Sequence, residues 1–123
     1  MIAGLGIDVV EIDRIQHSLT RFGAHFLQRV LTEKERAALP ATPASYVAAR
    51  FAAKEAAVKA LGTGFAQGIT LQDIEIVNGS MGEPHMSLRG AAQQRMQTLG
   101  ATRIYVSLTH SRQTAAAVVI LEV

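Results

Sequence analysis

The stretch from Tyr46 to Gly64 constrains the fold most, because alanine fills its interior. Alanine has the highest helix propensity, so this composition predicts one long helix. Thr42 and Pro43 offer a cap and a first helical residue, and Gly62 follows the last apolar residue, where a left-handed C-cap is expected. An apolar stripe is expected along one side. Four charged residues are expected on the remaining surface: Arg50, Lys54, Glu55 and Lys59.

Asp8 lies near the end of an apolar stretch, residues 2–10, that is predicted to be a strand. A carboxylate inside such a strand is costly unless it is paired or binds a cation. It could instead cap the next helix, but Asp13 is better placed for that, directly before a helical pattern. Asp8 is therefore a candidate functional residue. Glu55 and Lys59, one helical turn apart, predict by themselves only a surface ion pair worth about 0.3 to 0.5 kcal/mol.

The segment from Arg14 to Phe26 is predicted to be an amphipathic helix or turn in which Arg14 and Arg21 accompany Phe22. Arginine with aromatic residues is typical of an interface. The alternative is that the arginines only solvate a face whose phenylalanines enter the core.

The remaining elements alternate between helix and strand. Thr32 and Glu35 have the spacing of a capping box at the start of a short helix. A hairpin, a helix and a second strand pair are predicted after Gly64, at residues 69–77 with 85–88, 90–99, and 103–109 with 114–123. His110 falls at the last turn, where it is either a phosphate donor or an ordinary surface residue. These elements predict an α+β fold with a mostly antiparallel sheet and the long helix packed across it.

Length and composition set limits on the function. A chain of 123 residues predicts one domain, 1–123. Twelve basic against ten acidic residues leave no concentrated basic patch of the kind that binds nucleic acid. No cysteine is present, which suits a reducing compartment, and no apolar run approaches the roughly 18 residues of a membrane span. A cytoplasmic protein without nucleic-acid or membrane partners is expected.

Four segments in this order resemble the 4'-phosphopantetheinyl transferases in their short, holo-acyl-carrier-protein synthase form. The signature helix corresponds to Arg-Phe-Ala-Ala-Lys-Glu-Ala-Ala-Val-Lys-Ala-Leu-Gly-Thr-Gly at residues 50–64. The metal motif corresponds to Gly-Ile-Asp-Val-Val-Glu-Ile at 6–12, and similar segments stand at 82–91 and 106–111. The resemblance implies transfer of 4'-phosphopantetheine from coenzyme A to a serine of apo acyl carrier protein, in support of fatty acid biosynthesis.

The same resemblance implies that Asp8 and Glu55 hold Mg²⁺. Double-length relatives carry a second acidic ligand two residues after the aspartate, where this chain has Val10, and Glu11 points to the other strand face. Two protein ligands are therefore expected, with pyrophosphate and water completing the set. Lys59 is expected to neutralise phosphate charge. Either Glu55 or a metal-bound water takes the serine proton.

The resemblance also implies further contacts. Arg50, Lys54 and His110 are expected at the phosphates of coenzyme A, with Lys54 alternatively pointing to solvent or anchoring the helix. Arg14, Arg21 and Phe22 are expected to bind the acidic carrier protein. A homotrimer with sites at its subunit interfaces is expected. The alternative function is a non-catalytic module that binds carrier protein, phosphate or nucleic acid.

Overall fold

The computed structural model describes every residue from Met1 to Val123. The fold is α+β, as predicted. Its strands are β1 (Ile2–Glu11), β2 (Ile74–Asn78), β3 (Pro84–Leu88), β4 (Arg103–His110) and β5 (Thr114–Glu122). Its helices are α1 (Ile12–Phe22), α2 (Ala24–Val30), α3 (Glu33–Ala37), α4 (Ala44–Leu61) and α5 (Gly90–Thr98), with a 3-10 turn at Leu71–Asp73. No helix combines the length and apolar composition that a membrane crossing needs.

All strand pairs are antiparallel, but they form two sheets. The larger sheet has the order β1-β5-β4, and the β2-β3 hairpin stands apart from it. The central strand β5 sets Asp8 opposite Ala117 on one side and His110 opposite Ala115 on the other. The backbone pairing of β1 and β4 with β5 therefore fixes the positions of Asp8 and His110 relative to each other.

Helix α4 confirms the prediction of a long helix, although its start differs. Pro43 is the N-cap, and no side chain caps the helix, so Thr42 lacks the predicted role. At the other end Gly62 has φ 78°, the left-handed C-cap that the sequence predicted. Glycine adopts this backbone conformation without the steric cost that a Cβ adds.

Two glycines let α4 lie directly against β1. A Cβ at Gly4 or Gly6 would overlap the backbone carbonyl oxygen of Ala60 or Ala56 on the helix. With small residues on both sides, the backbones approach closely, and α4 is packed against β1 and β5. This contact brings even-numbered residues of β1 towards the helix, Asp8 among them.

Helix α4 is buried around most of its circumference rather than along one stripe. The β2-β3 hairpin, the 3-10 turn and the end of α2 cover its second side, so Arg50 and Lys54 are buried together with the alanines. The expectation that both lie on a solvated face was wrong. Their neighbours on that side come from distant parts of the chain, which helical periodicity does not report.

The structure changes two other predictions and confirms a third. The segment 14–26 is divided into α1 and α2 at Gly23, which has φ 54°. The strand predicted from residue 69 begins only at Ile74, after the 3-10 turn. The capping box is confirmed, because Thr32 and Glu35 exchange hydrogen bonds as its pattern requires.

One face of the three-stranded sheet is apolar and exposed. Residues of β1 that point away from α4 include Leu5, Ile7 and Val9, and Ile7 is 63% exposed. Strand β5 is buried on alternate residues, and its other residues are half-buried beside this face. A row of exposed β-branched and aliphatic side chains on one sheet face is typical of an interface.

Candidate active site

Asp8 and Lys59 form an ion pair between β1 and α4. The Lys59 ammonium donates to Asp8 Oδ1 at 2.9 Å and to the carbonyl oxygen of Ile7 at 3.0 Å. The surface pair that the spacing of Glu55 and Lys59 predicted is thus replaced by a contact across 51 residues of sequence. The Lys59 side chain is half-exposed, whereas the Asp8 side chain is more buried.

Glu55 is close enough to Asp8 for the two carboxylates to interact. Partial burial and the negative charge of Asp8 raise the pKa of Glu55, while Lys59 and Arg14 act in the opposite direction. Two acidic side chains that repel each other favour the binding of a cation between them. The structure therefore brings together the two residues predicted as metal ligands and the lysine predicted to accompany them.

The donor set of this site fits Mg²⁺. Two carboxylates supply hard oxygen ligands, and Mg²⁺ binds to one or two of these with phosphate and water as its other ligands. No third acidic or histidine side chain joins them in a metal-binding cluster. Val10, on the same face of β1 as Asp8, is buried in the core, whereas Glu11 is exposed. That Asp8 and Glu55 are the two protein ligands stays a prediction.

Arg50 lies in a separate cleft of about 590 Å³ between the start of α4, the β2-β3 hairpin and the end of β4. His110, the last residue of β4, lines the same cleft, as do Tyr46 and Asn78. Arg50 is only 6% exposed and has no carboxylate partner. A buried guanidinium without a counter-ion is costly, so this cleft is suited to an anion.

The cleft and the carboxylate site lie on different sides of α4. At about 100° of rotation per residue, the nine residues from Arg50 to Lys59 bring the two side chains to opposite faces of the helix. Neither Asp8 nor Glu55 lines the cleft of Arg50. Within one chain, the predicted phosphate-binding residues therefore form two groups rather than one.

Lys54 belongs to neither group. Its fully buried ammonium donates to Glu35 Oε1 at 2.7 Å and to the carbonyl oxygens of Val30 and Leu71 at 2.7 and 3.0 Å. Burial lowers the pKa of Lys54, and Glu35 counteracts this by favouring the charged form. With all three donors occupied by the protein, Lys54 has none left for a phosphate. The expectation of a phosphate contact is corrected, and the alternative that Lys54 anchors the helix fits the contacts.

The predicted carrier-binding residues share a surface on α1, but their surroundings differ. Arg21 stacks on Phe22 at 5.2 Å from the ring centroid, and Phe22 is 52% exposed. Arg14 lines an apolar cavity of about 190 Å³ with Phe26 and with Arg29, a residue that sequence reasoning missed. The positive charge of Arg14 also acts to lower the pKa of Glu55, so Arg14 lies within electrostatic range of the carboxylate site.

Comparison with known proteins gives a consistent result over the whole chain. The family model described as the 4'-phosphopantetheinyl transferase superfamily matches residues 4–119. A holo-[acyl-carrier-protein] synthase from Solidesulfovibrio magneticus is 59% identical over 122 residues, which cover 99% of each chain. The crystal structure of the synthase of that name from Neisseria meningitidis has a TM-score of 0.91 at 34% identity, over 99% of both chains. The structure from Helicobacter pylori, in complex with coenzyme A, has a TM-score of 0.86 at 31% identity, over 96% of this chain and 99% of that one.

Proposed function

Because the chain belongs to the 4'-phosphopantetheinyl transferase superfamily, we propose that it transfers 4'-phosphopantetheine from coenzyme A to a serine hydroxyl of apo acyl carrier protein. The products are holo carrier protein and adenosine 3',5'-bisphosphate, and the activity serves fatty acid biosynthesis in the cytoplasm. The observation that carries this proposal is the convergence of Asp8, Glu55 and Lys59 at the contact of β1 with α4. These residue types suit phosphate chemistry.

The reaction exchanges one P–O bond for another. The serine oxygen attacks the β-phosphorus, and the bond from this phosphorus to the bridging oxygen breaks as the bisphosphate departs. Asp8 and Glu55 would hold Mg²⁺, which would supply positive charge to neutralise the pyrophosphate. Lys59 adds a second positive charge beside the same oxygens. The serine proton leaves as the oxygen attacks, and either the Glu55 carboxylate or a water molecule at this site would accept it.

The direct test incubates the purified protein with coenzyme A, Mg²⁺ and an apo acyl carrier protein, and follows the carrier by mass spectrometry. A gain equal to the mass of phosphopantetheine on the serine supports the proposal. Binding of carrier protein without this gain, under conditions in which a known transferase modifies it, would favour the non-catalytic binding module.

We further propose that the carrier protein docks on α1. Arg14, Arg21 and the exposed Phe22 offer two positive charges beside an apolar anchor, which complements an acidic helix. Arg29 extends this positive surface beside Arg14. Opposite charges accelerate the encounter, and the phenylalanine adds apolar contact area.

Charge reversal of Arg14 and of Arg21 on α1 should have different effects on the kinetic constants. Arg21→Glu is expected to raise KM for the carrier protein roughly 5-fold and to leave kcat unchanged, because rim charges act on association. Arg14→Glu should raise the same KM and also lower kcat, since the new carboxylate raises the pKa of Glu55 further. Lys34→Glu on α3 is the control and should change neither constant. Raised KM for coenzyme A with unchanged KM for carrier would place these arginines at the nucleotide instead.

We propose that the enzyme is a homotrimer whose sites lie at subunit interfaces. Coenzyme A has a phosphate on the 3' oxygen of its ribose and a pyrophosphate on the 5' oxygen, and the carboxylate site and the Arg50 cleft lie on opposite sides of α4. In an oligomer, the Arg50 cleft of one subunit would lie against the carboxylate site of its neighbour. The exposed apolar sheet face supplies a surface for this association, because covering it removes aliphatic side chains from water.

Assembly should therefore be needed for activity. Ile7→Glu places a charge on the apolar sheet face and is expected to give a folded monomer with little turnover, as measured by light scattering and specific activity.

In equal mixtures of Asp8→Ala and His110→Ala subunits, about a quarter of the sites should combine two intact halves and recover activity after subunit exchange. A fully active monomer would disprove the shared site.

A further inference from the structure

Arg50 is held by two neighbours, neither of which carries a negative charge. Its guanidinium carbon lies 4.0 Å from the centroid of the Tyr46 ring, one helical turn earlier on α4. One of its amino groups, Nη2, donates to the amide oxygen of Asn78 at 3.2 Å. Its buried Nε has no hydrogen-bond partner. The side chain is thus oriented but keeps both its full charge and an unused donor.

The two neighbours are themselves fixed. The Tyr46 hydroxyl donates to the backbone carbonyl oxygen of Glu35 at 2.8 Å, which ties the ring to α3. Asn78 is the last residue of β2, paired with Pro84 at the end of the hairpin. Tyr46 contacts Arg50 from the same helix, whereas Asn78 is 28 residues distant in sequence, so the position of Arg50 depends on the packing of the hairpin against α4.

We propose that Tyr46 and Asn78 are positioning residues that hold Arg50 ready for a phosphate group of coenzyme A without neutralising it. This inference rests on the proposed function, in which Arg50 binds such a phosphate. A free arginine loses much rotamer freedom on binding, and a stacked, hydrogen-bonded arginine has already lost it. Stacking covers one face of the planar guanidinium, so a phosphate approaches along its edge, where the N–H donors point.

The amide at position 78 matters because it is neutral. A carboxylate there would form an ion pair with Arg50 and compete directly with the phosphate for the same donors. The amide oxygen accepts one hydrogen bond and leaves the net positive charge of the cleft intact. Sequence reasoning did not select Asn78, because its importance appears only once the hairpin lies against α4.

The test measures coenzyme A affinity by calorimetry on the full chain, together with KM and kcat. Tyr46→Leu should weaken coenzyme A binding about tenfold, since a desolvated cation–π contact is lost. Tyr46→Phe keeps the ring and should recover most of this affinity. Asn78→Ala should weaken binding roughly 3-fold, and Asn78→Asp more than Asn78→Ala, because the aspartate also neutralises Arg50. All effects should appear in KM for coenzyme A, with kcat at saturation within about 2-fold.

Repeating Tyr46→Leu and Asn78→Ala in an Arg50→Ala background separates the two proposals. If both residues act through Arg50, their effects on coenzyme A affinity should vanish there. Unchanged affinity in Arg50→Ala alone would show that Arg50 does not bind phosphate, which contradicts the proposed function of the cleft. If Arg50→Ala lowers the affinity for coenzyme A but Tyr46→Leu and Asn78→Ala do not, only the positioning roles of Tyr46 and Asn78 are overturned. If Tyr46→Leu does not fold, the variants of Asn78, which is an exposed residue, test the positioning proposal.

Discussion

Removing either carboxylate of the β1–α4 site should lower Mg²⁺-dependent turnover by at least about 100-fold. Asp8→Ala deletes one of two protein ligands and also frees Lys59, which now pairs with Asp8 at 2.9 Å. Glu55→Gln keeps the shape of the second ligand and removes its charge. Turnover of each variant is measured across a Mg²⁺ titration, because loss of a ligand should shift the required concentration upwards as well as lower the maximum.

Glu11→Gln is the matched control for this prediction. Glu11 lies on the same strand, is exposed and points away from Asp8, so its neutralisation should leave the Mg²⁺ titration unchanged. Full activity of Asp8→Ala or Glu55→Gln with an unaltered metal requirement would contradict the assignment of the ligands.

The stability of Glu55→Gln provides a second reading of the same site. The pKa of Glu55 is raised in the folded protein, so its ionised form destabilises the fold. This cost begins as pH rises past the ordinary carboxyl pKa and reaches its full size above the raised one. Glu55→Gln should therefore melt at a higher temperature than the unaltered protein at neutral pH without metal, and the difference should vanish at low pH. Lower stability of Glu55→Gln at neutral pH would contradict the burial and the repulsion from Asp8 that raise the pKa of Glu55.

Lys54→Met should destabilise the protein by about 3 to 5 kcal/mol, because it leaves the buried Glu35 carboxylate without its cation. Glu35 also accepts hydrogen bonds from the backbone amides of Thr32 and Ile76, so its displacement would disturb α3 and β2 together. The free energy of unfolding is measured by urea denaturation of the two proteins at the same concentration.

The pair of Arg89 and Glu75, with a contact of 3.2 Å, is the control, because the Arg89 side chain is 57% exposed. Arg89→Gln should cost less than about 1 kcal/mol, since the Glu75 carboxylate keeps the hydrogen bond that it accepts from the Thr32 hydroxyl. If Lys54→Met instead kept its stability and raised KM for coenzyme A, the phosphate contact expected from the sequence would be restored and the anchoring role abandoned.

The sequence by itself determined the elements that depend on neighbours within one or two turns. The alanine-rich helix, its glycine C-cap at Gly62 and the capping box of Thr32 with Glu35 were all predicted, because these features depend on backbone preferences and on hydrogen bonds between residues three or four apart. The order of the motifs also identified the family. These features depend on residues that are close together in the sequence, so they can be predicted without the tertiary structure.

Only the tertiary structure decided what surrounds each charged side chain. Glu35 was predicted as a cap, yet it also neutralises Lys54 across 19 residues, and Lys59 leaves its helical neighbour Glu55 to pair with Asp8 across 51. The division of the strands into two sheets and the exposed apolar face likewise follow from long-range packing. Whether a charge on α4 is solvated, paired or poised for a ligand depends on which distant segment covers it, and the periodicity of one helix does not contain that information.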